Sequence, residues 1–256
     1  MTTSELLITT AESGTDAPRY SFLVARHGDE IEAAQRLRHR VFAGEMGATL
    51  HSPVPGLDID HFDDYCDHLV VRHDPTGEIV GTYRVLPPGR AAEAGGLYSE
   101  TEFDLAAIGP IGDALVETGR SCVHPDHRNG AVVSLVWAGI GRYMYLSGNR
   151  WLAGCASVPL ADGGSLASGV WNLVRDKHYA PPEYRVRPLH PWRPGEVAAP
   201  ARPLLPPLLK GYLRLGAWVC GPPALDADFG VADLFVLLDL QRVDERYLRF
   251  FLGGLA

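Results

Sequence analysis

Along the first half of the chain, hydrophobic positions form either the short apolar runs of strands or the regular spacing of a helix. Residues 20–26, 68–74 and 78–86 are short apolar runs of the kind found in strands, and the DPTG turn between the last two predicts an antiparallel hairpin. Residues 29–47 place apolar side chains at helical spacing, which predicts a helix. Residues 1–18 show neither spacing, and we expect them to form a flexible tail.

The second half of the chain alternates strand and helix patterns. Residues 114–123 and 151–158 read as strands, while residues 131–148 and 165–177 read as helices. A hairpin followed by strand, helix, strand and helix predicts a mixed central sheet flanked by helices, an α/β (α+β) fold. We expect one domain over residues 19–256.

The remaining segments are less regular, and proline explains most of this. Residues 180–207 contain nine prolines, which predicts an extended excursion rather than a regular element. Residues 48–66 are expected to form a loop, and residues 87–112 a linker with a short helix. After these, the pattern predicts three closing elements. They are a helix over 204–216, a strand over 234–240 and a terminal helix over 244–254.

Composition narrows the class of protein. Of 256 residues, 46% are hydrophobic and 21% are charged, as in ordinary globular proteins. No apolar run reaches the ~18 residues of a membrane span, and the N-terminus lacks the pattern of a signal peptide. The four cysteines have no zinc-site spacing, which favours reduced thiols, a cytoplasmic location and no bound metal.

The charges are unevenly distributed. The net charge of −8 argues against a nucleic-acid partner. Residues 1–127 carry 9 basic and 21 acidic side chains, net −12, and residues 128–256 carry 14 and 10, net +4, which together give −8. Residues 128–193 hold eight basic against three acidic side chains, which would attract an acidic partner if they share a face. Scattered solubilising charges explain the same composition equally well.

Two runs, GTYRVLPP at 81–88 and ETGRSCVHPDHRNG at 117–130, place arginine inside strand patterns. Such local conflict is expected at functional sites. Buried charges need partners, so Arg84 and Arg120 should meet carboxylates supplied by Asp60, Asp63 and Glu117. A bulge at Gly119 would bring Glu117 and Arg120 to the same side of the strand. A purely structural ion network is the alternative.

Other polar groups surround these runs in the sequence. Arg38 and Phe42 share one helix face. The segment DIDHFDDYCDH places Asp58, Asp60 and Asp63 among five aspartates, which need a cation, either an arginine or a substrate ammonium, since the order of ligands in a calcium loop is absent.

The last part of the second run carries a thiol and a turn. Cys122 could be a nucleophile only with a base that the sequence does not locate, so a structural thiol is favoured. Arg128 and Gly130 stand between a strand and a helix N-terminus, where backbone N–H groups hold phosphates.

In order along the chain, RLRHRVFAGEMG, DIDHFDDYCDHLVV, GTYRVLPP, ETGRSCVHPDHRNG and LLKGYLRLGAWVCGPPALDADFGVADLFVLL resemble the bacterial ornithine lipid N-acyltransferases and their haemolysin-like relatives. These are similar to acyl-homoserine-lactone synthases and N-acyl amino acid synthases, all of the GNAT fold. The synthase motifs fall on Arg38 and Phe42, on Asp58, Asp60 and Asp63, on Arg84, and on Glu117 and Arg120.

The resemblance implies transfer of a long-chain 3-hydroxyacyl group from acyl carrier protein to the α-amine of an amino acid, typically ornithine. It implies Glu117 as the base and Ser121 or Cys122 as the source of a backbone donor. It places the substrate-binding side chains at Arg38, Phe42, Asp60, Asp63 and Arg84. Asp60 and Asp63 would hold the cationic substrate, and Arg84 and Arg120 would order those carboxylates. No permanently bound cofactor is expected.

The resemblance also implies which residues contact the acyl donor. Val123, Arg128 and Gly130 would meet the pantetheine arm and its phosphate. The acetyltransferase phosphate loop is only partly matched, because Gly130 follows Arg128 at a different interval. That suits a donor with one phosphate, although acyl-CoA stays open as the donor.

The acceptor also stays open. Met46, Gly47 and Ala48 stand where the lactone synthases carry Gly-Trp, which argues against an adenosylmethionine pocket. An N-acyl amino acid synthase with another amine acceptor is one alternative, and a non-catalytic binding module is another. A lipid product would bring the enzyme to the inner face of the membrane as a peripheral protein.

Overall fold

The computed structural model describes residues 4–10, 19–194 and 198–247. These ranges contain the strands β1 (Glu5–Thr9), β2 (Tyr20–Val24), β3 (Asp67–His73), β4 (Glu78–Leu86), β5 (Phe103–Asp104), β6 (Leu115–Val123), β7 (Trp151–Pro159), β8 (Arg187–Pro188), β9 (Trp218–Val219), β10 (Ala224–Asp226) and β11 (Val231–Asp239).

The same ranges contain the α-helices α1 (Gly28–His39), α2 (Pro88–Ala91), α3 (Gly130–Ser147), α4 (Ser165–Lys177) and α5 (Pro207–Arg214). A π-helical segment, Arg40–Glu45, continues α1. Short 3₁₀ turns at His61–Asp64 and Tyr98–Thr101 lie in the predicted loop and linker.

The chain forms two compact units. The first contains residues 1–87, 118–149 and 244–256, and the second contains residues 88–117 and 150–243. Strand β6 runs from one unit into the other, because Leu115–Glu117 belong to the second unit and Thr118–Val123 to the first.

The first unit is built on the strands β1, β2, β3 and β4, which pair with their neighbours in antiparallel register. Helix α1 packs on β3 and β4, and α3 packs on β1 and β2. Gly139 of α3 lies so close to β2 that an added Cβ would stand 1.9 Å from the ring of Phe22. A larger residue at this position would therefore push the helix off the sheet.

The second unit is built on β11, which pairs antiparallel with β7 from Val231↔Pro159 to Asp239↔Trp151. Strands β10 and β9 also pair with β11, and β5 pairs with β8. The core contains Phe103, Phe235 and Leu237, all at most 1% exposed. Helices α4 and α5 pack on β7.

The predicted fold class is confirmed. The chain has a mixed α/β fold with a large, mostly antiparallel sheet and flanking helices. The predicted hairpin is β3–β4, and the helix over 165–177 matches α4 at both ends. Helix α3 ends before Gly148, which has the left-handed φ of +68° typical of a helix C-terminus.

The N-terminal segment differs from the predicted pattern. Residues 5–9 are expected in a flexible tail, but they form β1 because Leu6 and Ile8 meet Leu23 and Phe22 of β2 across a long sequence gap. Residues 248–256, which include most of the predicted terminal helix, lie outside the described ranges. None of the helices in those ranges has the length and apolarity that a membrane crossing needs.

Candidate active site

Arg38 is the centre of a charged network inside the first unit. Its side chain is fully buried, although its helix position alone would suit a solvated charge. Its Nε donates to Asp58 Oδ2 at 2.8 Å, and its Nη2 donates to Asp63 Oδ1 at 2.7 Å and to the backbone carbonyl of Asp58. Phe42, one turn further along, is also buried. The predicted shared face is therefore the face that packs into the core.

Arg84 enters the same network from β4. It is 3% exposed, and its Nη1 donates to Asp60 Oδ1 at 2.5 Å and to Asp63 Oδ2 at 2.9 Å. Its guanidinium carbon lies 5.8 Å from the ring centroid of Phe62. The predicted pairing of Arg84 with Asp60 and Asp63 is thus confirmed.

Arg120 completes the set from β6. Its Nη2 donates to Asp60 Oδ2 at 3.2 Å, and its Nε lies 3.3 Å from Asp58 Oδ2. Its φ of +52° makes it the one non-glycine residue with positive φ in the described ranges. Such backbone strain is common at functional sites. The irregular backbone position that we predicted at Gly119 is therefore found one residue later, at Arg120.

The aspartates are held by their own segment as well as by the arginines. Asp60 caps the His61–Asp64 turn by accepting from the backbone N–H of Phe62 at 2.8 Å, and its own N–H donates to Asp63 Oδ2 at 3.0 Å. His68 Nε2 lies 3.1 Å from the carbonyl oxygen of Asp63. Burial lowers the pKa of this histidine, which favours its neutral form.

The electrostatics of the network follow from its composition, three aspartates against three arginines. Burial alone would raise the pKa of Asp63, yet the guanidinium groups of Arg38 and Arg84 outweigh it and lower that pKa. Burial likewise would lower the pKa of Arg84, which Asp60 and Asp63 raise instead. The charges therefore compensate one another inside the first unit.

Glu117 belongs to the second unit. It is 4% exposed and accepts hydrogen bonds from the backbone N–H groups of Tyr98 and Ser99 at 2.6 and 2.8 Å, one to each oxygen. These bonds tie β6 to the Tyr98–Thr101 turn. The sequence pattern does not predict this contact, because Glu117 lies nineteen residues from Tyr98 and eighteen residues from Ser99.

The residues after Arg120 differ in their accessibility. Cys122 is buried, and burial raises the pKa of its thiol to about 12, so the thiolate needed for nucleophilic attack is absent near neutral pH. Ser121 and Val123 are half-buried. Arg128 is exposed and forms a two-fold ion pair with Glu45, at 2.6 Å for both bonds. Gly130 is the first residue of α3.

The second unit contains another acidic group, which the sequence patterns do not predict. Oxygens of Glu102, Asp226 and Asp233 lie within 4.8 Å of one another. Burial, Asp233 and Asp226 together raise the pKa of Glu102 to about 9. The one available signal is Asp233, a charged residue inside the apolar run of β11.

Comparisons with known proteins assign the class. Residues 37–138 match the model of the "Acetyltransferase (GNAT) domain" family. The fold resembles the CoA-dependent acyl-homoserine lactone synthase BjaI, with a TM-score of 0.55 and 18% identity over 91% of this chain and 87% of that chain. It also resembles FeeM, an N-acyl amino acid synthase from uncultured soil microbes, with a TM-score of 0.50 and 14% identity over 88% and 93%. The chain therefore has the GNAT fold.

Sequence relatives define the family more narrowly. The chain is 35% identical to an L-ornithine N(alpha)-acyltransferase of Rhodobacter capsulatus, over 91% of this chain and 94% of the relative. It is 38% identical to the enzyme of that name from Rhizobium meliloti, over 89% and 82%. The chain belongs to the L-ornithine N(alpha)-acyltransferase family, in agreement with its motifs.

Proposed function

We propose that this protein transfers a long-chain 3-hydroxyacyl group from an acyl carrier protein thioester to the α-amine of L-ornithine. The observation that carries the proposal is the identity of 35–38% to enzymes named L-ornithine N(alpha)-acyltransferase over about nine-tenths of the chain. The product would be an N-acyl amino acid of the lyso-ornithine-lipid type.

The reaction sets three requirements. The α-amine must be neutral before its nitrogen attacks the thioester carbonyl, and the carbonyl oxygen becomes negatively charged as the C–N bond forms. The C–S bond then breaks, the amine proton passes to a base, and the thiolate of the carrier leaves and is protonated. The site therefore needs a base, an oxyanion donor and a support for the pantetheine arm.

Glu117 is proposed as the base, directly or through one water molecule. Its two oxygens accept the backbone N–H groups of Tyr98 and Ser99, and this turn fixes the carboxylate in place. The backbone near Ser121 and Cys122, immediately after the strained Arg120, is proposed as the oxyanion donor.

The arginine–aspartate network is proposed to position this strand rather than to carry out chemistry. The guanidinium groups of Arg38 and Arg84 are engaged by aspartates of the fold, and they hold Asp58, Asp60 and Asp63 from the α1 and β4 sides. Arg120 and Asp60 are the partly exposed members, at 15% and 24% of their side chains. These two residues are therefore the members of the network that would contact the carboxylate or the amine of the substrate.

The donor side is proposed to use Val123, Arg128 and the start of α3 at Gly130. Arg128 and Glu45 are both exposed, each at 42%, so exchange of Glu45 for a phosphate replaces one solvent-screened ion pair with another. An acidic carrier protein would be attracted by the basic residues between 128 and 193.

The proposed product indicates where in the cell the protein acts. A long acyl chain on an amino acid partitions into lipid, so we propose a cytoplasmic enzyme that contacts the inner face of the membrane peripherally. Sedimentation with and without anionic lipid vesicles would test this, and equal recovery in the soluble fraction would contradict it.

A donor assay tests the reaction itself. Purified protein is incubated with L-ornithine and either 3-hydroxyacyl carrier protein, the matching acyl-CoA or acetyl-CoA, and the amide is measured by mass spectrometry. We expect product from the carrier-protein thioester. Activity with acetyl-CoA and none with the carrier protein would overturn the proposal.

A further inference from the structure

The acidic group in the second unit has no role in the reaction described so far. Glu102 follows the Tyr98–Thr101 turn, Asp226 ends β10, and Asp233 lies on β11 beside Ala224 of β10. Glu102 and Asp233 are 8% and 3% exposed, whereas Asp226 is half-buried. The group therefore consists of two interior carboxylates and one that extends toward solvent.

Glu102 is the residue that indicates a ligand. Its side chain is more than nine-tenths buried, its carboxylate lies within 4.8 Å of those of Asp226 and Asp233, and neither of its oxygens has a partner of normal hydrogen-bond geometry within the described residues. Besides burial, Asp233 and Tyr98 are near enough to act on its pKa, Asp233 raising it and Tyr98 lowering it. A buried carboxylate that faces other carboxylates is costly, and it is usually stabilised by a proton or by a cation. The raised pKa of Glu102 corresponds to the first of these, and a bound cation would supply the second.

The geometry suits a primary ammonium group. Three oxygens up to 4.8 Å apart can share one nitrogen that stands about 2.8 Å from each, the normal hydrogen-bond distance. An ammonium group has three N–H donors and no acceptor, so three carboxylates would use all of its donors. Lysine-like amines are protonated at neutral pH.

The position of the group connects it with the proposed base. Glu117 holds the N-terminal end of the Tyr98–Thr101 turn, and the N–H of Glu102 donates to the carbonyl of Ser99 at 3.1 Å at its other end. Cys155 Sγ lies 3.4 Å from Ser99 Oγ. Burial raises the pKa of this thiol, and the negative charges of Glu102, Asp233 and Glu117 raise it further. The acidic group and Glu117 thus lie around the same turn in one unit.

We propose that Glu102, Asp226 and Asp233 bind the side-chain ammonium of a diamino acid acceptor while its α-amine is acylated. The proposal rests on the proposed function, which supplies ornithine as the acceptor. It assigns acceptor specificity to the second unit, in residues separate from the arginine-paired aspartates.

The test compares L-ornithine with L-2-aminopentanoic acid, which has the same carbon chain without the side-chain amine. We expect the unmodified protein to favour ornithine in kcat/KM, and Glu102→Gln and Asp226→Asn to reduce this preference at least tenfold, mainly through a higher KM for ornithine. Loss of a charged hydrogen bond to a substrate has effects of this size. Asp228→Asn, at an exposed position in the turn that follows β10, is the matched control and should keep the full preference.

The outcomes separate the two proposals. If the unmodified protein acylates no ornithine, the proposed function fails. If it acylates ornithine but the preference is unchanged in both variants, the inference alone is overturned. Glu102→Gln could unfold the second unit, and half-buried Asp226→Asn then carries the test. A metal site would overturn the inference. It would be identified by activity that requires Mg²⁺ or Mn²⁺ and is lost with chelator, and by metal binding in calorimetry that Glu102→Gln removes.

Discussion

Two groups of three carboxylates in this molecule have opposite electrostatic character. In the first unit, Asp63 and its neighbours face arginines, and the pKa of Asp63 is lowered despite burial. In the second unit, Glu102 faces other carboxylates, and its pKa rises to about 9. The first group has its counter-charges within the fold, which suits a structural role. The second group has the character of a site that takes its cation from outside the fold.

The largest expected effect comes from breaking the first group. Arg38→Met removes the fully buried guanidinium that pairs with Asp58 and Asp63, and it leaves the three aspartates of the network with two arginines, one negative charge in excess. We expect the free energy of unfolding to fall by about 3–5 kcal/mol. Urea denaturation followed by circular dichroism measures this change.

Arg36→Met on the same helix is the matched control. Arg36 pairs with Glu32 one turn away at an exposed position, so its loss should cost at most about 0.5 kcal/mol. Equal losses in the two variants would contradict the structural role of the network.

The next largest effect concerns Glu117, the proposed base. Glu117→Gln retains the size of the side chain but removes the carboxylate, and we expect kcat to fall by about 10²-fold or more. Glu100→Gln, an exposed residue of the same turn that accepts from the N–H of Leu97, should retain activity. A Glu117→Gln protein with normal kcat and a normal unfolding midpoint would show that another group takes the proton.

Several of these features could be predicted from sequence, and the reason is local. The arginines at 84 and 120 interrupt apolar strand patterns, so their need for carboxylates can be inferred from the residue pattern itself. The hairpin and α4 follow from turn residues and helical spacing. Where short-range pattern and fold agree, sequence reasoning is reliable.

The features that could not be predicted depend on long-range pairing. Strand β1 is only five residues long and gains its stability from β2, so its own pattern resembles a tail. Glu102 and Asp233 are far apart in the chain, and neither lies in a motif with a known spacing. The partners of Glu117 are backbone groups of a turn, which have no side-chain signature.

A pH dependence distinguishes the two acidic groups, and for each unit of pH it is the smallest of the expected changes. With a pKa raised from its ordinary 4.5 to about 9, Glu102 holds a proton in the folded state that it loses in the unfolded state between these values. The free energy of unfolding should therefore fall as pH rises through this window, by at most about 1.4 kcal/mol per pH unit from this residue. Glu102→Gln should flatten the slope in denaturation series across that window, whereas the exposed Glu100→Gln should keep it. An unchanged slope in Glu102→Gln would contradict the raised pKa.

Lipid mass spectrometry of cells that express the protein measures the proposed product itself. In a bacterial host without ornithine lipids, we expect 3-hydroxyacyl ornithine, with the acyl group on the α-nitrogen, to accumulate with the unmodified protein and not with Glu117→Gln at equal expression. Accumulation of an acyl derivative of another amine, or of no acyl amino acid at all, would contradict it.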